Sequence, residues 1–166
     1  MTNIELQHFG QVDINQLEEY YSTKTEIDGE PIRLDLNFEN KNISEEQVET
    51  IKKFLDNILA FDIQNKVVIK KDFKDEGETV DYLNFYMEEL DEEELSGIID
   101  YGNQDVPKEE QLLSKLRLIR VGLYPDYTNY YGVFDYSIDI EGEPCNQLLV
   151  VKTDKQGGLA HITWES

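Results

Sequence analysis

The apolar residues of this chain change their spacing twice, and that change constrains the fold more than any other feature. Ile32, Leu34, Leu36 and Phe38 alternate with Arg33, Asp35, Asn37 and Glu39, the period of a strand with one buried face. From Val48 through Ile51, Leu55, Ile58 and Leu59 the spacing becomes three and four residues, an apolar stripe along a helix. Period two returns at Ile119, Val121 and Leu123 and again at Phe134, Tyr136, Ile138 and Ile140. Strands, then helices, then strands predict an α+β fold. In it an N-terminal hairpin and the C-terminal strands share a mostly antiparallel β-sheet, and a central block of three to four helices packs on one side.

Local signals place the boundaries. Asp28-Gly29 is a two-residue hairpin turn, so a strand over 18–27 precedes the strand at Ile32, and a shorter one over 4–9 ends at Gly10. Ser44 with Gln47 three residues on forms a capping box, with Glu45 and Glu46 where the helix dipole favours negative charge. A second helix is expected over 62–73. Gly77 separates it from a third that starts at Glu78, with Val80, Leu83, Met87 and Leu90 facing inward. Pro107 opens a fourth through Leu116. The continuous apolar run 148–151 fits a central strand covered on both faces, and Gly157-Gly158 turns into a last strand over 159–164. With 166 residues and no linker rich in Pro, Gly or Ser, one domain over 1–166 is expected.

Charge bounds the partners. Thirty-six Asp and Glu against fifteen Lys and Arg leave a net charge of −21. Such a surface repels nucleic acid and anionic lipid and attracts cations and basic proteins. Eighteen aromatic residues (ten Tyr, seven Phe, one Trp) and clear periodicity argue for a folded chain despite 31% charged residues. The single cysteine, Cys145, excludes an internal disulfide and any multi-cysteine metal site. No run approaches the roughly 18 apolar residues of a membrane span, and Met1-Thr2-Asn3-Ile4-Glu5 lacks the start of a signal peptide. A soluble cytoplasmic protein is expected, with no membrane or nucleic-acid partner.

Two segments are candidate sites. Glu88, Glu89, Asp91, Glu92, Glu93 and Glu94 put six acids in seven residues, either a docking patch for a basic partner or a solvated helix end. Tyr124, Tyr127, Tyr130 and Tyr131 fall in eight residues between two strands. Tyrosine joins large contact area to a hydroxyl, so this loop either anchors a protein partner or folds back over a sheet edge. No catalytic set emerges. His8 and His161 are the only histidines, and no nucleophile elbow surrounds Cys145. No EF-hand or phosphate loop is present, so neither a metal nor a cofactor is expected. Lys66, Lys70 and Lys74 share a helix face at four-residue spacing, with Lys71 beside them, and read as a surface salt-bridged to neighbouring acids.

The segments Gly29-Glu30-Pro31-Ile32-Arg33-Leu34-Asp35-Leu36-Asn37-Phe38-Glu39, Phe54-Leu55-Asp56-Asn57, Phe61-Asp62, Arg120-Val121-Gly122-Leu123-Tyr124-Pro125 and Phe134-Asp135-Tyr136 resemble the bacterial domain of unknown function DUF2004. The resemblance spans nearly the whole chain and implies one domain; the family brings no established activity or catalytic residues. By analogy of size and charge, small acidic α+β proteins of this sort include immunity proteins encoded beside bacterial toxins. The expected function is therefore a protein-binding domain of immunity type that neutralises a basic toxin or nuclease. The alternatives are a carboxylate-based, metal-dependent enzyme and a homo-oligomeric structural protein.

Overall fold

The computed structural model describes residues 3–166, and it opens with a small hairpin, Asn3–Leu6 (β1) against Gly10–Asp13 (β2). Gly10, at φ 77°, begins the second strand instead of ending a longer first one, and His8 turns the chain at φ 72°. Leu6 and Val12 point into the core. Asp28 and Gly29 take positive φ as their types allow, 52° and 80°, and fold Tyr20–Ile27 (β3) back on Glu30–Asn37 (β4).

Five helices follow: Glu45–Asp56 (α1), Ile58–Lys74 (α2), Glu78–Glu89 (α3), Glu92–Ser96 (α4) and Lys108–Leu113 (α5). Ser44 caps α1 as its spacing predicts, its hydroxyl accepting from Gln47 N while the Gln47 side chain accepts from Ser44 N. The helix then breaks at Asn57, so Ile58 opens α2 rather than closing α1, and Leu59 faces solvent instead of extending the α1 stripe. In α3 the buried side chains are Thr79, Tyr82, Leu83 and Tyr86; Val80 and Met87 lie at its margins. The Pro107 helix ends at Leu113, three residues and just under one turn earlier than expected.

The remaining strands are Arg117–Leu123 (β5), Gly132–Ser137 (β6), Asp139–Ile140 (β7), Glu143–Pro144 (β8), Leu148–Thr153 (β9) and Leu159–Glu165 (β10). Six strands form one sheet in the order β10-β9-β6-β5-β4-β3, antiparallel except where β4 meets β5. A parallel pair cannot be joined by a tight turn. Here the connection is the whole helical block, which lays the helices on one sheet face. That face supplies Leu34, Leu36, Val121, Leu123, Phe134, Tyr136, Leu149 and Val151 to the core, together with Ile51, Phe54, Ile58 and Leu83 from the helices. The architecture is α+β with a mostly antiparallel sheet. Among the described residues no helix is long and apolar enough to cross a membrane.

Candidate functional site

The opposite face of the sheet carries charge, and its centre is Arg120. Its Nε donates to Asp35 Oδ2 at 2.6 Å and its Nη2 to Asp35 Oδ1 at 2.8 Å, a two-bond fork across the parallel β4–β5 pair. Nη1 donates to Asp135 Oδ2 on β6 at 3.2 Å, and Nη2 also donates to the Tyr124 hydroxyl at 2.9 Å. Gly122 makes room for this: a Cβ there would stand 2.5 Å from Arg120 Nη2 and 2.8 Å from Asp35 Oδ1. Burial acts against the guanidinium charge, but the hydrogen bond and charge of Asp35, with Asp135 and Tyr124, outweigh it and raise the Arg120 pKa. At Asp135 the balance reverses. Burial raises its pKa, and Arg120 offsets only part of the effect.

Arg120 anchors the tyrosine loop between β5 and β6. Tyr124 N donates to Tyr131 O, closing the loop, and the Asp126 carboxylate accepts from Glu39 N and Asn40 N beyond β4. Tyr124, Tyr127 and Tyr130 pack on one another with ring centroids 4.9 to 6.1 Å apart, and Lys152 Nζ lies 4.9 Å from the Tyr130 centroid. These spacings are those of rings in contact, so no cation fits between them. Tyr131 departs from its expected role as an exposed anchor. It is buried, with its ring against Phe54 and its hydroxyl without a hydrogen-bond partner among the described residues. Burial raises its pKa.

Outside this cluster lies a groove of about 450 Å³. Tyr127, Tyr130 and Asn129 form one wall, Glu46, Gln47 and Thr50 of α1 a second, and the turn at Asp154 and Gln156 a third. The first turn of α1 here is occupied by its own capping box and carries Glu46 into the groove, while Asp154 and Lys155 line the opposite side, so the groove presents two acids and one base.

The acidic run sits elsewhere. Glu88, Glu89, Asp91, Glu92, Glu93 and Glu94 are all exposed, and Asp91 caps α4 by accepting from Glu94 N. Asp91, Glu93 and Glu94 line a cleft with Ile140 and Glu141, past the far end of β6 from the tyrosine loop. At ~3.3 Å per strand residue the two candidates stand roughly 20 Å apart. The structure does not join them into one surface.

Other candidates separate as well. Cys145 lies between β8 and β9, where Ser137 Oγ donates to its carbonyl, while His161 pairs in register with Lys152 well along the hairpin. Among the described residues no group of three or more His, Cys, Asp or Glu side chains converges as metal ligands would. Sequence reading missed Arg120, Asp35 and Asp135 as a unit. Their only signal is a basic residue on one strand between acids in the outward phase of two others. No protein-family model, no curated protein and no solved structure matches the chain.

Proposed function

We propose that the chain is a binding domain for a basic protein, of the immunity type that neutralises a basic toxin or nuclease. The observation that carries this reading is the tyrosine-walled groove, lined also by Glu46, Asp154 and Lys155, on a molecule of net charge −21. The charge steers a cationic partner to the surface, and the faces of Tyr127 and Tyr130 supply contact area that is already ordered by Arg120 and Asp126. Pre-ordering lowers the entropic cost of binding, which a floppy loop would have to meet on contact. The acidic run 88–94, at the other end of β6, contributes long-range attraction rather than contact.

The test is capture of partners from a lysate of the source cells at low salt, followed by rate measurements with the purified partner. One dominant basic protein is expected. Tyr127→Ala with Tyr130→Ala should abolish its capture, and its association rate should fall steeply as salt rises. Tyr131 is left intact because its removal would open the core. A spread of cationic proteins that ignores the tyrosine substitutions would show the charge to be unspecific and remove the reading.

A further inference from the structure

The strand β3 ends the six-stranded sheet on one side, and its outer edge is open. Phe38 N donates to Glu19 O just before the strand, and the antiparallel register runs on from Tyr20 with Asn37 to Ile27 with Glu30. Hydrogen-bonded and open pairs alternate along such a ladder. Tyr21, Thr23, Thr25 and Ile27 therefore bond to β4, and the N–H and carbonyl groups of Tyr20, Ser22, Lys24 and Glu26 point away from it. Among the described residues no backbone group pairs with those four. Sheet edges are blunted by shortness, proline, bulges or charge. β3 keeps eight residues in unbroken register without proline, whereas β10, the opposite edge, carries a bulge between Leu159 and His161. Its one device is charge. Lys24 stands directly across from Arg33, a like-charged pair, and among the described residues neither has a carboxylate within ion-pair distance. Glu26, next along the same face, has no cation within that distance either. All three side chains are exposed, as is Tyr20 at the start of the strand.

We propose that β3 is a docking edge for an extended segment of another protein, which joins the sheet antiparallel to β3 with an acid across from Lys24 and a base across from Glu26. Main-chain hydrogen bonds to Tyr20, Ser22, Lys24 and Glu26 hold the segment, and its alternate side chains select it. The acid stands about 5 Å from Lys24, Cβ to Cβ, and offsets the repulsion from Arg33. The base gives Glu26 the partner it lacks. A small side chain fits across from Ser22, and an apolar one covers the exposed Tyr20 ring. Residues between these four continue the half-buried row of Tyr21, Thr23 and Thr25 on the other face, where threonine or valine suits the strand. Charge also decides between occupants. In the segment acid and base cancel, so the −21 molecule neither draws nor repels it, whereas a second copy brings its own −21 to the contact. The edge shares no residue with the tyrosine groove, and the inference stands independently of the partner proposed there.

The probe is the peptide acetyl-Lys-Thr-Glu-Thr-Ser-Thr-Val-amide, whose alternate residues face Glu26, Lys24, Ser22 and Tyr20 in antiparallel register. A control peptide exchanges its Lys and Glu and keeps composition and net charge the same. Each is titrated into the whole chain and followed by amide NMR. The probe should shift the amides of Tyr20, Ser22, Lys24 and Glu26 and slow their hydrogen exchange, while exchange at Tyr21, Thr23 and Thr25, already bonded to β4, changes little. The control should bind about fivefold more weakly or worse, because two cross-strand pairs turn from attractive to repulsive. Lys24→Glu combined with Glu26→Lys, both at exposed positions, should reverse that preference. Ser22→Pro removes one outward N–H without touching the β4 ladder, so it should abolish binding and leave the rest of the spectrum in place. Absence of shifts on β3 at millimolar probe overturns the proposal. Equal affinity for the two peptides, or binding that survives Ser22→Pro, does the same. Slow exchange at those four amides in a concentration-dependent dimer, without peptide, would assign the edge to a second copy and overturn it as well.

Discussion

At the scale of single residues, the outward phase of a strand proves to be a poor guide to solvent. Asp35 alternates with Leu34 and Leu36 and reads as a surface carboxylate, yet it is fully buried beneath the Arg120 side chain. Alternation reports which face a residue takes, and it is silent about what a long side chain from the next strand lays across that face. Asp135 makes this testable. Burial raises its pKa from the ordinary 3.8, with Arg120 acting only partly in the other direction. The native state therefore binds this proton more readily than the unfolded chain does. Its contribution to stability is fully present below 3.8 and is lost as pH rises through the native value. Asp135→Asn lacks that dependence. Measured by urea unfolding at a series of pH values, the variant should gain on the natural protein from acid toward neutrality and then level off. A difference that is flat, or that slopes the other way, would show that Arg120 outweighs burial at this site.

At the scale of elements, legibility follows how local the cause is. The Ser44 capping box and the Asp28-Gly29 turn depend on neighbours within three residues and stand where the sequence places them. The outward face of α2 was not legible, because its polar residues are held inside by a strand far away in sequence, through Tyr136 to Asp62. The same holds for α3. Tyr82 and Tyr86 displace the purely apolar Val80 and Met87 from the centre of the inner face because their hydroxyls reach Gln147 O and each other. The tyrosine loop was legible as a loop and not as a cluster, since Arg120 and Asp126 arrange it from outside. Tyr136→Phe tests the α2 anchor. It leaves a buried carboxylate with Lys66 as its remaining partner, so stability should fall by about 1–3 kcal/mol in denaturant unfolding. Adding Asp62→Leu should cost clearly less in that background than alone, because both halves of the pair are then gone. Additive losses would mean that the hydroxyl and the carboxylate do not depend on each other.

At the scale of the whole molecule, charge acts in two opposed ways. The ion pairs that shape the fold are few and partly buried, Arg120 with Asp35 and Asp135 foremost, and salt screens them little. The bulk of the 36 acids has no such partner, and a net charge of −21 makes the compact state repel itself. Screening should therefore relieve more repulsion than it removes attraction. Exposed pairs such as Lys71 with Asp75 weigh little in that balance, at roughly 0–1 kcal/mol each. Stability measured in urea, which carries no charge of its own, should rise as sodium chloride goes from low to physiological concentration and beyond; guanidinium chloride would conceal the effect by screening from the start. The gain should shrink when solvent-exposed Glu92 and Glu93 are replaced by Gln, which removes like charge without touching the α4 cap formed by Asp91 and Glu94. Stability that falls with salt would mean that attractive surface pairs dominate, and that the acidic surface is organised within the fold rather than left free for a basic partner.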